Sequence, residues 1–104
     1  MIWEEYENLI SIREELLKQI NEQIKTQPFS ELEMNCLTEI DRQIAEARKR
    51  LRQSRDMFDK VYRMRFLDCL RVEKIAITLH YDQSSVYRIL RKIGKKRKDA
   101  KKCQ

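Results

Sequence analysis

Between Gln83 and Ile93 polar and apolar side chains alternate at helical spacing. Val86, Ile89, Leu90 and Ile93 take one face, and Gln83, Ser84, Ser85, Tyr87, Arg88 and Arg91 take the rest. The chemistry open to the second set is recognition rather than bond-making. A glutamine offers a donor and an acceptor side by side and matches the edge of adenine. An arginine fork matches guanine, and serine is permissive. Arg88 is the best candidate for direct contact with a base edge, while Tyr87 and Arg91 are better suited to phosphate. Lys92, Lys95 and Lys96 extend the cationic character. From Gln83 to Gln104 nine Lys/Arg stand against one acid, Asp99. Charge of one sign at that density attracts polyanions in a salt-dependent way. The competing reading of the same residues is a solvated helix face.

Other chemistry finds little support. The chain has one histidine, His80, and three cysteines, Cys36, Cys69 and Cys103, none in a C-x-x-C pair. A structural zinc site uses about four ligands at close spacing, so none is expected. No Gly-rich phosphate loop is present, and no base, nucleophile and orienting group recur together. The expectation is a chain that is not an enzyme and uses no cofactor. Cys36 and Cys69 read as small helix residues, and His80 reads as a turn residue.

The elements that must position these side chains follow from composition. The 104 residues include a single glycine, Gly94, and a single proline, Pro28. With so few breakers and 38% charged residues, the chain is expected to be all-α with thin cores. Net charge is +6, unevenly placed. Residues 1–45 carry four Lys/Arg against ten Asp/Glu, a net of −6; residues 46–104 carry 19 against seven, a net of +12. The imbalance points to a basic, polyanion-facing module behind an acidic one. No apolar run reaches the ~18 residues of a membrane span, and the N-terminus lacks a signal-peptide pattern. With an odd number of unpaired cysteines, the expected location is the cytoplasm, with no membrane partner.

In the acidic half, Trp3, Tyr6, Ile10, Arg13, Leu17, Ile20 and Ile24 recur at steps of three and four, an amphipathic stripe widened by Ile2, Leu9 and Leu16. Pro28 disfavours helix at Gln27. Ser30 and Glu33 form a capping box, and Phe29 and Met34 occupy the places of a hydrophobic staple. Leu37, Ile40, Ile44, Ala47 and Leu51 then repeat the stripe with coiled-coil-like spacing. The pattern predicts an antiparallel helical hairpin over residues 1–54. Each fully buried Leu or Ile contributes about 1.5–3 kcal/mol, against an ordering cost of about 1–2 kcal/mol per residue. A lone hairpin is therefore marginal. It is expected to pack on the C-terminal module, on a partner, or on a second copy as a homodimer.

Gln53 to Asp56 is the expected joint, although a helix running through it is the alternative. Beyond it the spacing predicts helices over about 56–68, 72–79 and 83–93. Two helices that cross steeply over a tight turn need a small residue at the crossing and apolar residues at set distances. With Ala76 at the crossing, Ile75, Leu79, Tyr81, Val86, Ile89 and Leu90 fill those places, and Asp82 stands as an N-cap. Phe58, Val61, Tyr62, Phe66 and Leu67 are expected to roof the pocket. His80 takes the place in the turn where a left-handed residue is common. The arrangement predicts a helix-turn-helix over 55–94 whose second helix enters the major groove of double-stranded DNA. Gly94 reads as a C-cap, and 95–104 as a basic, disordered arm that adds phosphate contacts.

The segment YRMRFLDCLRVEKIAITLHYDQSSVYRILRKIGKK, Tyr62 to Lys96, resembles region 4 of bacterial sigma-70-type factors. It is similar above all to the sigma-like domains of small phage-encoded transcriptional regulators of the ArpU and RinA kind. The resemblance is carried by Arg65-Phe66, by Glu73-Lys74-Ile75-Ala76, and by Asp82-Gln83-Ser84-Ser85-Val86-Tyr87-Arg88. It covers about a third of the chain. Arg71 departs from the usual Ser or Thr cap and His80 from the common turn Gly. The resemblance implies a three-helix sigma region 4-like domain, DNA binding, regulation of phage or mobile-element genes, and RNA polymerase as a further candidate partner. The rival expectation is a protein-interaction adaptor that works through the hairpin.

Overall fold

The computed structural model describes residues 1–24 and 30–102, and among these all regular structure is helical. The order is α1 (Ile2–Ile24), α2 (Glu31–Gln53), α3 (Met57–Tyr62), a π-helical turn (Arg63–Leu67), α4 (Val72–Leu79) and α5 (Gln83–Lys102). The chain divides into two compact units, residues 2–53 and residues from 54 onward.

In the first unit α1 and α2 lie side by side and run antiparallel. Glu5 pairs with Arg50, Tyr6 with Arg48, and Arg13 with Asp41, so the start of α1 meets the end of α2. The start of α2 follows from its cap: the Glu33 N–H donates to Ser30 Oγ at 3.1 Å, and the Met34 N–H donates to the Ser30 carbonyl at 3.1 Å. The expected Phe29–Met34 staple and the Pro28 break lie outside the described residues. Of the α1 stripe, Trp3, Tyr6 and Ile20 are buried, while Ile10, Arg13 and Leu17 are half-buried. Of the α2 stripe, Ile44, Ala47 and Leu51 are buried, while Leu37 and Ile40 are half-buried.

The helix of residues 31–53 does not run on. Ser54, Arg55 and Asp56 are non-helical, and Asp56 caps α3 through Oδ1, which accepts from the N–H groups of Phe58 (2.9 Å) and Asp59 (3.3 Å). The Ser54 hydroxyl donates to Asp59 Oδ2 at 2.6 Å and accepts from the Asp56 N–H at 3.2 Å. Asp59 is buried, so this short charge-assisted bond satisfies a carboxylate oxygen that has lost water.

Three expectations about the backbone change in the second unit. The single helix expected over 56–68 stops being α-helical after Tyr62: the Asp68 N–H reaches the Arg63 carbonyl at 2.9 Å, one residue wider than an α turn. Cys69 is not a helix residue. It sits exposed at φ 56° in the turn that follows, where the Leu70 N–H returns to the Met64 carbonyl at 2.9 Å. A left-handed residue is needed to reverse the chain there, and no glycine is present to take it. Finally, α5 does not end at Gly94. It continues to Lys102 because Gly94 has no positive φ and sits as an ordinary helix residue. The segment beginning at Lys95 is therefore helical as far as Lys102 rather than a disordered arm.

Val61, Tyr62, Met64, Val72, Ile75, Ala76, Val86 and Ile93 form the core of this unit. Phe66, expected in the roof, is 38% exposed. It lies at the rim, its ring centroid 5.0 Å from that of Tyr62 and 4.6 Å from the Arg97 guanidinium carbon. Met64 is buried where the reading placed no residue. Tyr81, expected inward, is 42% exposed, and Leu79, Ile89 and Leu90 are half-buried.

Candidate nucleic-acid interface

Two helices and the turn between them position the candidate residues. α4 begins at Arg71, whose backbone is extended and whose side chain makes no capping bond. Its buried face is Val72, Ile75 and Ala76. It ends at His80, which is left-handed at φ 59°, ψ 42°. The His80 N–H donates to the Ile77 carbonyl at 3.3 Å and the Tyr81 N–H to the Ala76 carbonyl at 2.9 Å. This pair of bonds is the Schellman closure, which ties off the last carbonyls and turns the chain in two residues. Asp82 then occupies the N-cap position: its carbonyl accepts from Ser85 (3.1 Å) and Val86 (3.2 Å).

α5 is held by Val86 and Ile93, both wholly buried. Seven residues make nearly two full turns, so these two side chains point the same way and fix the rotation of the helix. The opposite face belongs to Ser84, Arg88, Arg91, Lys95 and Lys98, at steps of four, three, four and three. At about 100° per residue these five fall within roughly 80° of arc. All five are exposed. Gln83, Tyr87, Lys92 and Lys96 are exposed beside this stripe, and Ser85 is half-buried at its edge. The structure thus brings Ser84, Arg88, Arg91 and Lys95 onto one line, with Gln83, Tyr87 and Lys92 flanking it. Lys96 lies about 120° from the centre of the line.

The electrostatics of α5 differ from those of α2. On α2, Arg42 donates to Glu39 (2.6 and 3.1 Å) and to Glu46 (3.2 Å). Glu39 also accepts from Gln43, and the Arg42 bond first and the Gln43 bond second lower its carboxyl from 4.5 to about 2. Among the described residues no ion pair engages Arg88, Arg91, Lys92, Lys95 or Lys98. These cations spend their charge on solvent and remain available to an outside anion.

Sequence reasoning placed Arg97 and Lys98 in a disordered phosphate-contacting arm and not on a helix. Both lie past Gly94, where the helix was expected to stop. The three-and-four spacing that gathers Arg88, Arg91 and Lys95 continues to Lys98, and that continuation was the available signal. Arg97 faces the other way, over Phe66.

Among the described residues no helix is long and apolar enough to cross a membrane. No protein-family model, no curated protein and no solved structure matches the chain.

Proposed function

We propose that the chain is a sequence-specific double-stranded DNA-binding transcriptional regulator of phage or mobile-element type. In this reading α4 and α5 form a sigma region 4-like helix-turn-helix, and the first turns of α5 enter the major groove. One observation carries the proposal: the face of α5 opposite Val86 and Ile93 exposes Ser84, Arg88, Arg91 and Lys95 in line, with no ion pair to hold those cations among the described residues. Arg88 reads a base edge, with Gln83, Ser84 and Ser85 nearby at the start of the helix. Tyr87, Arg91, Lys92 and Lys95 meet phosphate, whereas Lys96 is turned away from their line. The left-handed turn at His80 supports the reading, because it lets α5 leave α4 sharply while Ala76 keeps the crossing close.

The α1–α2 unit serves as a dimer contact in this reading, and two copies would then place their reading helices on half-sites about one helical turn apart. A second reading puts the function in that unit itself, as a protein-interaction adaptor with RNA polymerase as a candidate partner. The exposure of Ile12, Leu32 and Met34 favours it.

A salt titration on mixed-sequence duplex DNA separates the two. The regulator binds at ~50 mM salt and loses affinity linearly in log–log form as salt rises. On a selected cognate site Arg88→Ala costs about 1–3 kcal/mol and relaxes specificity at one position. No binding at ~50 mM salt sinks the DNA-binding reading. Light scattering at micromolar concentration then reports a dimer if the front unit self-associates, and a clean monomer refutes that role.

A further inference from the structure

The helix past Gly94 carries a consequence for how the polyanion is held. A basic terminal arm that is a random chain presents each of its cations to the phosphates in turn, so its lysines are interchangeable. A helix does not. It presents one face, and neighbours in sequence point in different directions. α5 runs unbroken for 20 residues, about 30 Å at 1.5 Å per residue. Its rotation is set by wholly buried Ile93 immediately before Gly94 and by Arg97 over the Phe66 ring, 4.6 Å from its centroid, three residues after it. Those anchors on both sides of the glycine keep the helix in phase across it. A side chain at 94 would meet nothing within 4 Å, so the glycine is required there neither by packing nor by a positive φ.

We propose that the C-terminal half of α5 is a rigid, one-faced phosphate-binding extension of the reading helix, in which Lys95 and Lys98 contact the DNA backbone and their neighbour Lys96 does not. The proposal rests on the DNA-binding reading above and specifies its geometry. Arg88, Arg91, Lys95 and Lys98 line up over ten residues, about 15 Å along the axis. One end of that line lies with the base-contacting residues. The other projects beyond them on the same side, where a helix leaving the groove passes the flanking sugar-phosphate backbone.

The test compares single variants of the full chain on a mixed-sequence duplex by fluorescence anisotropy across ~50–200 mM salt. Lys95→Ala and Lys98→Ala should each lower the slope of log affinity against log salt by about 0.9, the counterions of one phosphate contact. Lys96→Ala should leave the slope unchanged. Equal losses from all three variants would mean a flexible arm and overturn the proposal, as would no loss from any of them. These are exposed lysines, so the variants keep the fold. Gly94→Pro adds a second arm: it breaks the helix while keeping every charge, and should cut the slope as the two lysine variants together do. A wild-type slope in Gly94→Pro also overturns the proposal. Arg88→Ala on a cognate site separates the layers. If it weakens binding while the lysine variants behave alike, the DNA-binding reading stands and only the rigid extension falls. If the wild type binds no duplex at ~50 mM salt, both fall.

Discussion

The guanidinium carbon of Arg97 lies 4.6 Å from the centroid of the Phe66 ring, which itself sits 5.0 Å from the ring of Tyr62. This contact links the far part of α5 to the π-helical turn, across a sequence distance of 31 residues. It also explains why a phenylalanine can remain 38% exposed: its face is used by a cation rather than by the core.

Removing that contact should loosen the end of α5 before anything else. Phe66→Ala is expected to cost about 0.5–1 kcal/mol, as partly exposed cation–π pairs do. Amide exchange should speed up over residues 95–98 while α3 keeps its protection. Arg97→Lys keeps the charge but loses the flat stacking surface, so it should show the same local loosening. Unchanged exchange in both variants would mean that Ile93 alone holds the helix end.

The turn at His80 holds a left-handed backbone without glycine, at φ 59° and ψ 42°. A side chain there is strained relative to glycine. His80→Gly should raise stability by about 0.5–1 kcal/mol, part of the relief being lost to the more flexible unfolded chain. His80→Val, β-branched, should lower it. Thermal melts followed by circular dichroism give both values, and the order Gly above His above Val is the expected result.

Two neighbouring helices differ in their caps, which makes a paired test. Asp56 caps α3 with two side-chain bonds, whereas Arg71 gives α4 none. Asp56→Ala should cost about 1 kcal/mol, and Arg71→Ser should gain about as much by supplying the missing acceptor. Denaturant titrations should show the midpoint falling in the first variant and rising in the second, with unchanged slope in both.

On α2 the Arg42 bond, assisted by Gln43, brings the Glu39 carboxyl from 4.5 to about 2. A folded value below the unfolded one means that the ionised form favours the folded state. The stabilisation is therefore present above pH 4.5 and is lost as pH falls towards 2. A carboxyl NMR titration should show Glu39 as a low-titrating glutamate, and Arg42→Ala should return it towards 4.5. Because both groups are exposed, added salt should shrink the difference.

Helix existence was legible in residue spacing throughout. Burial of Val86 and Ile93 and exposure of Ser84, Arg88 and Arg91 follow from a period of 3.6, which any sequence with that pattern must obey. The Ser30 cap and the His80 turn were legible for a similar reason: each depends on the chemistry of one residue and its near neighbours. The end of α5, the left-handed Cys69 and the rim position of Phe66 were not. Glycine fits both a C-cap and a helix interior, where it costs about 1 kcal/mol. Local preference therefore leaves the two nearly balanced. What decides is contact with residues far along the chain: Phe66 reaches Arg97, and the buried Ile93 holds the helix just before the glycine. The sequence by itself determined which face of α5 is cationic. Only the tertiary structure decided how far that face extends, because the anchors that carry the helix past Gly94 come from residues close in space and distant in sequence.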